Sequence, residues 1–117
     1  MKLLYIAGPY RDDTENGVFE NIIAARDVAT FVASIQKDWF PVTPHLNTMF
    51  MGGVREDEYW LEGDLEIIKR CDAVLLMDDW VYSKGARKEK DVAEEFGIPC
   101  FTEDEFFGNS GQKANIV

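Results

Sequence analysis

Short apolar runs alternate along the chain with longer amphipathic stretches. Residues 3–7 and 73–77 are uninterrupted apolar runs, the pattern of strands that are buried on both faces of a parallel sheet. Residues 39–43 and 100–101 are two further candidate strands. Pro41 restricts the first of these to a sheet edge, because proline cannot donate a hydrogen bond to a ladder. The pattern therefore predicts four strands.

Helical periodicity fills the intervals between these strands. Residues 19–36 carry a broad apolar stripe that is rich in alanine, and residues 55–70 place acidic side chains in the first turn and basic ones in the last, as the helix dipole favours. A third helix is predicted over residues 85–97. Thr102 and Glu105 have the spacing of a capping box, which predicts a short terminal helix.

The regular alternation of strands and helices predicts parallel strands joined by right-handed crossovers. We predict a three-layer α/β fold of the Rossmann or flavodoxin-like kind, with a mostly parallel sheet of four or five strands in the order 2-1-3-4. Residues 1–107 are expected to form one domain and 108–117 a flexible tail. Ligands bind such sheets at the carboxyl ends of the strands, here beside the first and third strands.

Length and charge restrict the classes of partner. The 117 residues suffice for one domain, and 12 basic against 22 acidic residues give a formal net charge of −10. Duplex nucleic acid and anionic membranes both require a basic face, so neither is an expected partner. A small anionic ligand held by a few local cations remains possible.

Cysteine and histidine usage points to a reducing compartment without a metal centre. The two cysteines form no CxxC pair, the chain has one histidine, and no signal-like or membrane-spanning apolar segment is visible. We therefore expect a cytoplasmic protein with no cofactor and no metal site.

The loop after the first strand carries a first group of candidate binding residues. Gly8 permits a close approach of the backbone, and Arg11 can form a forked contact with a phosphate or carboxylate. A plain turn with a surface arginine explains the same pair. Tyr5 and Tyr10 are able to orient a carboxylate or to stack on a base, although core packing explains Tyr5 equally well.

The loop before the third helix carries a second group. Ser83 and Gly85 precede a helix N-terminus, where free N–H groups favour an anion, although both residues are also common as simple helix caps. Glu89 lies about one turn into that helix, where the local field is expected to keep its carboxylate ionised, as a nucleophile requires.

Asp64 is the second carboxylate of interest, because aspartate is unfavourable inside a helix. Two carboxyl groups, one nucleophilic and one that assists protonation, cleave glycosidic bonds with retention. Exposed helix faces explain Glu89 and Asp64 as well, and spacing alone does not choose between these interpretations.

Three segments resemble the nucleoside 2-deoxyribosyltransferase superfamily. They are Tyr-Ile-Ala-Gly-Pro-Tyr-Arg at residues 5–11, Asp-Leu-x-x-Ile-x-x-x-Asp at residues 64–72, and Gly-x-x-x-Glu at residues 85–89. The resemblance implies that Glu89 is the nucleophile that attacks the anomeric carbon of a deoxyribosyl nucleoside. It also implies that Asp64 contacts the sugar and helps the base to leave, and that no metal is needed.

Finer details are similar to the 2′-deoxynucleoside 5′-monophosphate N-hydrolases of that superfamily. Those enzymes have a serine that touches the 5′-phosphate where this chain has Ser83, and an arginine that matches Arg11, although Pro9 stands in place of their other phosphate-binding serine. The chain is also similar to a group of short bacterial and phage proteins of the superfamily. They share its Ala-Gly-Pro-Tyr-Arg opening, its Pro-His pair and its Ser-x-Gly-Ala-x-x-Glu segment.

The resulting prediction is cleavage of the N-glycosidic bond of a (2′-deoxy)nucleoside 5′-monophosphate. The alternatives are base exchange on unphosphorylated deoxynucleosides and a nucleotide-binding module without chemistry. His45 is a candidate for contacting the base or sugar, and for assisting base departure, because histidine titrates near neutrality. A structural or solvent-facing role is more common for a single loop histidine. Asp78 is a second-line polar contact at the site mouth. A homo-oligomer is expected, because relatives often complete the site with a neighbouring subunit.

Overall fold

A computed structural model describes residues 1–108 of the chain as alternating strands and helices. The strands are β1 (Lys2–Ala7), β2 (Trp39–Val42), β3 (Ala73–Leu76) and β4 (Cys100–Thr102). The helices are α1 (Glu15–Ile35), α2 (Pro44–Asn47), α3 (Asp57–Ile68), α4 (Lys84–Glu95) and α5 (Glu103–Phe107), and a 3-10 turn spans Trp80–Tyr82. Apart from Gly108, the predicted tail lies outside the described residues.

The four strands form one parallel sheet in the order β2-β1-β3-β4. Tyr5 of β1 is paired with Val42 of β2 on one side and with Val74 of β3 on the other. The predicted strand order is confirmed, and Pro41 lies on the edge strand to which its missing N–H restricts it. The change of winding direction between β1 and β3 places a crevice at their carboxyl ends.

Successive residues of β1 enter two different cores, because side chains alternate across a strand. Leu4 and Ile6 pack with α1 and with Phe107 of α5 on one face of the sheet. Tyr5 and Ala7 pack on the other face, with residues of α3 and α4. Two layers of helices therefore cover the sheet, as predicted.

Local signals set several helix ends. The Thr102 hydroxyl accepts from the Glu105 N–H and the Glu105 side chain accepts from the Thr102 N–H, which confirms the predicted capping box. Gly97 follows α4 with a φ of 72°, a conformation that glycine adopts without strain. Among residues 1–108, no helix combines the length and the hydropathy that crossing a bilayer requires.

Candidate active site

Glu89 is buried against the sheet. It belongs to the inward stripe of α4, together with Ala86, Val92 and Ala93, and only 6% of its surface is exposed. The hydroxyl of Tyr5, which is completely buried, donates a hydrogen bond to the Glu89 carboxylate. Tyr5 therefore fills the core and orients the carboxyl group at once, and Glu89 is not the exposed first-turn acid of the simpler interpretation.

Burial controls the protonation of Glu89. Its pKa is raised to about 8, chiefly by desolvation; the hydrogen bond from Tyr5 lowers the pKa and the charge of Asp64 raises it. The expectation that the helix field keeps Glu89 ionised is therefore wrong for the free protein. The field of a helix end fades within the first turn, whereas Glu89 lies beyond that turn and away from water.

Asp64 faces the same region from α3. It is half-buried, desolvation raises its pKa to about 6, and its charge raises the pKa of both Glu89 and Tyr5. The fold thus brings together two carboxyl groups that are far apart along the chain. Since their pKa values are about 6 and about 8, the pair holds one proton near neutral pH. Such a pair can supply one carboxylate and one acid to a reaction.

A groove of about 360 Å³ opens beside Asp64. Its walls come from α3 and from the end of α2, and a side chain at Gly63 would meet nothing within 4 Å. The lining residues are Asn47, Thr48, Tyr59, Trp60, Glu62, Gly63, Asp64, Glu66 and Ile67. A second cleft of about 400 Å³ next to β4 contains none of the predicted site residues. The first groove therefore adjoins Asp64, whereas Glu89 lines neither cleft.

Gly8 marks the tight junction of β1 and β3. A Cβ atom at this position would lie 2.3 Å from the sulfur of Met77, which directly follows β3. Only glycine fits here without movement of Met77, so the close approach that Gly8 permits is to a neighbouring strand. Closeness to a ligand stays a prediction.

Arg11 and Ser83 have different partners in the structure. The guanidinium of Arg11 forms an ion pair with the Asp57 carboxylate at the start of α3, and both side chains are exposed. The Ser83 hydroxyl accepts from the Ala86 N–H at 3.1 Å and so caps α4, as the simpler interpretation states. Gly85 leaves open space, since a Cβ atom there would lie 4.0 Å from its nearest neighbour, the Ser83 hydroxyl.

His45 is buried, with 4% of its surface exposed, and Nε2 lies 3.2 Å from the Gly8 carbonyl oxygen and 3.0 Å from that of Pro9. The ring of Tyr10 packs against it with a centroid distance of 5.9 Å. Desolvation lowers the pKa of His45, and this effect outweighs the carbonyl contacts that favour its charged form. These surroundings favour the more common, structural interpretation of a single loop histidine over proton delivery to a leaving base.

Two residues that the sequence did not single out hold loops of the site. The buried carboxylate of Glu103, the first residue of α5, accepts from the Asp78 N–H at 2.7 Å. Asp78 thereby joins the loop after β3 to α5. Asn21 of α1 donates to the Tyr10 carbonyl at 3.1 Å. An acid at the start of a capped helix and an asparagine inside a helix are common for other reasons, so neither carried a specific signal.

Comparisons with known proteins agree with the fold. A family model described as "Domain of unknown function (DUF7768)" matches residues 2–103. No curated protein matches the chain. A 2-deoxyribosyltransferase from the psychrotolerant bacterium Bacillus psychrosaccharolyticus has a similar structure, with 18% identity and a TM-score of 0.58, over 86% of this chain and 70% of that one.

A 2-deoxyribosyltransferase from Leishmania mexicana is also similar in structure. The identity is 21% and the TM-score 0.60, over 93% of this chain and 73% of that one. These similarities confirm the deoxyribosyltransferase-like fold to which the sequence motifs pointed.

Proposed function

The chain belongs to the DUF7768 family, and because that description names no activity, we propose a function from the site: cleavage of the N-glycosidic bond of a nucleoside or nucleotide. The observation that carries the proposal is the buried Glu89 carboxyl group, which is held by the Tyr5 hydroxyl and lies within the electrostatic reach of Asp64. The similarity in fold to two 2-deoxyribosyltransferases supports the same reaction class.

The proposed reaction starts from the state in which Glu89 is ionised and Asp64 holds the shared proton. The Glu89 carboxylate attacks the anomeric carbon, the C–N bond breaks, and its electron pair leaves with the base, which takes the proton from Asp64. Positive charge that develops on the sugar favours this state over the one in which Glu89 holds the proton.

Water then completes the cycle. The water oxygen attacks the anomeric carbon while the Asp64 carboxylate takes a proton from that water. The ester bond to Glu89 breaks in this step. The sugar product leaves, Glu89 is again a carboxylate, and Asp64 is again protonated. If a second base attacks instead of water, the same covalent intermediate gives base exchange.

Replacement of Glu89 tests the nucleophile. We expect Glu89→Gln to reduce base release by at least about a thousandfold, because the amide cannot form the glycosyl ester. Glu95→Gln, at an exposed position of the same helix, is the matched control and is expected to retain full activity. Base release is measured by chromatography, and full activity of Glu89→Gln would contradict the assignment.

We further propose that the substrate carries a 5′-phosphate and that water is the acceptor. The open space at Gly85 beside the Ser83 hydroxyl, together with the helix N-terminus, supports an anion at the start of α4. Arg11 would add its charge after leaving Asp57. A panel of deoxynucleosides and ribonucleosides, with and without a 5′-phosphate, tests this by the free base released from each.

Base exchange on unphosphorylated deoxynucleosides is the second candidate function. It is favoured by the Arg11–Asp57 ion pair, which leaves the arginine already neutralised. Addition of a free acceptor base to the same assay distinguishes the two reactions. Exchange that dominates hydrolysis, without any advantage from a 5′-phosphate, would support this second candidate. Nucleotide binding without turnover would favour a module that has no chemistry.

A further inference from the structure

The loop between β1 and α1 is held through its carbonyl groups. His45 Nε2 lies within hydrogen-bond distance of the carbonyl oxygens of Gly8 and Pro9, and Asn21 Nδ2 donates to the carbonyl oxygen of Tyr10 at 3.1 Å. Three successive peptide carbonyls are thus turned toward side chains of α1 and α2. A surface turn ordinarily directs such groups to water.

The contacts of His45 determine which ring nitrogen carries the hydrogen. Both neighbours of Nε2 are carbonyl oxygens, which only accept, so Nε2 must carry the hydrogen. Nδ1 is then unprotonated, and it is buried without a partner among residues 1–108. The neutral ring with hydrogen on Nε2 is the form that these surroundings select.

Orientation of the carbonyls also orients the amide groups. In a trans peptide, the N–H of one residue points opposite to the C=O of the residue before it, and residues 1–108 contain no cis peptide. The contact of His45 with the Pro9 carbonyl therefore turns the Tyr10 N–H away from His45. In the same way, the bond from Asn21 turns the Arg11 N–H away from α1. Neither N–H donates to an acceptor within the described part of the chain.

We propose that His45 and Asn21 are positioning residues, which hold this loop so that the N–H groups of Tyr10 and Arg11 stay free for an anionic oxygen of the substrate. The inference rests on the proposed function, in which a 5′-phosphate supplies such oxygens. It assigns His45 a role through the backbone, which extends the structural interpretation that the sequence left open beside proton transfer. The Arg11 guanidinium belongs to the same loop and would add positive charge after leaving Asp57.

The Asn21 bond is tested with a matched pair of substitutions on one helix. Asn21→Asp removes the donor to the Tyr10 carbonyl. Asn16→Asp adds the same negative charge at an exposed position, where the side-chain amide donates to Glu20. We expect Asn21→Asp to raise KM for the phosphorylated substrate about tenfold at an almost unchanged kcat. Asn16→Asp is expected to leave both constants unchanged. Equal KM values for the two variants would contradict the inference.

The His45 contacts are tested with two amides of different reach. The amide nitrogen of glutamine can occupy the position of Nε2, whereas that of asparagine corresponds to Nδ1 and falls short of the carbonyls. We expect His45→Gln to restore KM to within about threefold of the wild type and His45→Asn to raise it about tenfold. Thermal unfolding of both variants shows whether each is folded. Identical KM values for two folded variants would overturn the role of His45.

A binding measurement keeps this test separate from the proposed reaction. Inorganic phosphate is titrated into ¹⁵N-labelled protein, and the amide resonances are followed by NMR. We expect phosphate to change the chemical shifts of the Tyr10 and Arg11 amides in the wild type. In Asn21→Asp, the same change should require a higher phosphate concentration. The result is informative even if no base is released. Loss of activity in Glu89→Gln with no response of either amide to phosphate would leave the reaction standing and overturn the positioning role.

Discussion

The two faces of the sheet are built from adjacent residues of the same strand but differ in chemistry. The core that α1 and α5 cover is a cluster of apolar side chains that includes Leu4 and Ile6, and the buried Glu103 carboxylate of α5 binds a backbone N–H. The face toward α3 and α4 also has an apolar core, but at its edge it buries the Tyr5 hydroxyl and the Glu89 carboxyl group. Burial of an acid raises its pKa instead of stabilising the fold. Both faces therefore contribute apolar packing, and the second uses part of that stability to hold a buried acid.

The largest effect on stability is expected on the apolar face. Leu4→Ala should lower the free energy of unfolding by about 2–5 kcal/mol, because it leaves a cavity beside α1. The activity of the molecules that remain folded should stay close to that of the wild type. Urea denaturation gives the first quantity, and an assay well below the unfolding temperature gives the second. A small loss of stability would contradict the comparison between the faces.

The acidic face should make stability depend on pH. Glu89 has a pKa of about 8 in the folded protein against an ordinary value of 4.5, so the folded state binds more protons than the unfolded state between these values. Stability must then fall as pH rises through this window, and Asp64 acts in the same direction.

We expect this loss to be about 3–5 kcal/mol between about pH 5 and about pH 8. Urea midpoints at several pH values measure it. Glu89→Gln removes most of the slope, and an unchanged slope in that variant would show that other groups cause it.

Removal of the Tyr5 hydroxyl should change activity without removing the aromatic ring from the core. Tyr5→Phe keeps the ring in the core but deletes the donor that lowers the pKa of Glu89, so this pKa should rise further. We expect kcat/KM to fall about tenfold near neutral pH, because less of the singly protonated pair then carries its proton on Asp64. We also expect the alkaline fall of activity, where the pair loses this proton, to move to higher pH. A pH–rate profile measures both, with Leu4→Ala as the control from the other face. An unmoved profile would show that the hydroxyl only fills space.

The smallest effect is expected for the ion pair outside both cores. Asp57→Asn breaks the contact with Arg11, but both side chains are exposed, so stability should change by less than about 0.5 kcal/mol. If a 5′-phosphate binds Arg11, the freed arginine should lower KM for phosphorylated substrates alone. Equal changes in KM for phosphorylated and unphosphorylated substrates would argue against such a contact.

The sequence predicted the fold better than it predicted the site. Apolar runs, Pro41 and the capping box at Thr102 are local signals, and they were enough for the strand order and for the last helix. The burial of Glu89 also had a local signal, because Ala86 and Ala93 flank it at helical spacing on the inward stripe. The helix field and this stripe predict opposite protonation states for Glu89, and burial on the stripe outweighs the field.

Other contacts could not be read from the sequence. His45 reaches Gly8 and Pro9 across the fold, and Asn21 meets Tyr10 only because α1 packs beside the loop. Such distances depend on how the helices are docked, and no periodicity encodes them. The pairing of Arg11 with Asp57 is of the same kind, since many acids of this chain are equally plausible partners.

Because β1 lies in the centre of the sheet, the contact between Tyr5 and Glu89 depends on the register of this strand. A single residue inserted before Leu4 would exchange the sides of Leu4 and Tyr5, since strand neighbours point in opposite directions. The phenol would then enter the hydrocarbon layer without an acceptor, and leucine would face the carboxyl group. A chain that misaligns this strand therefore loses its reactive centre together with its packing, and faulty copies are unstable as well as inactive.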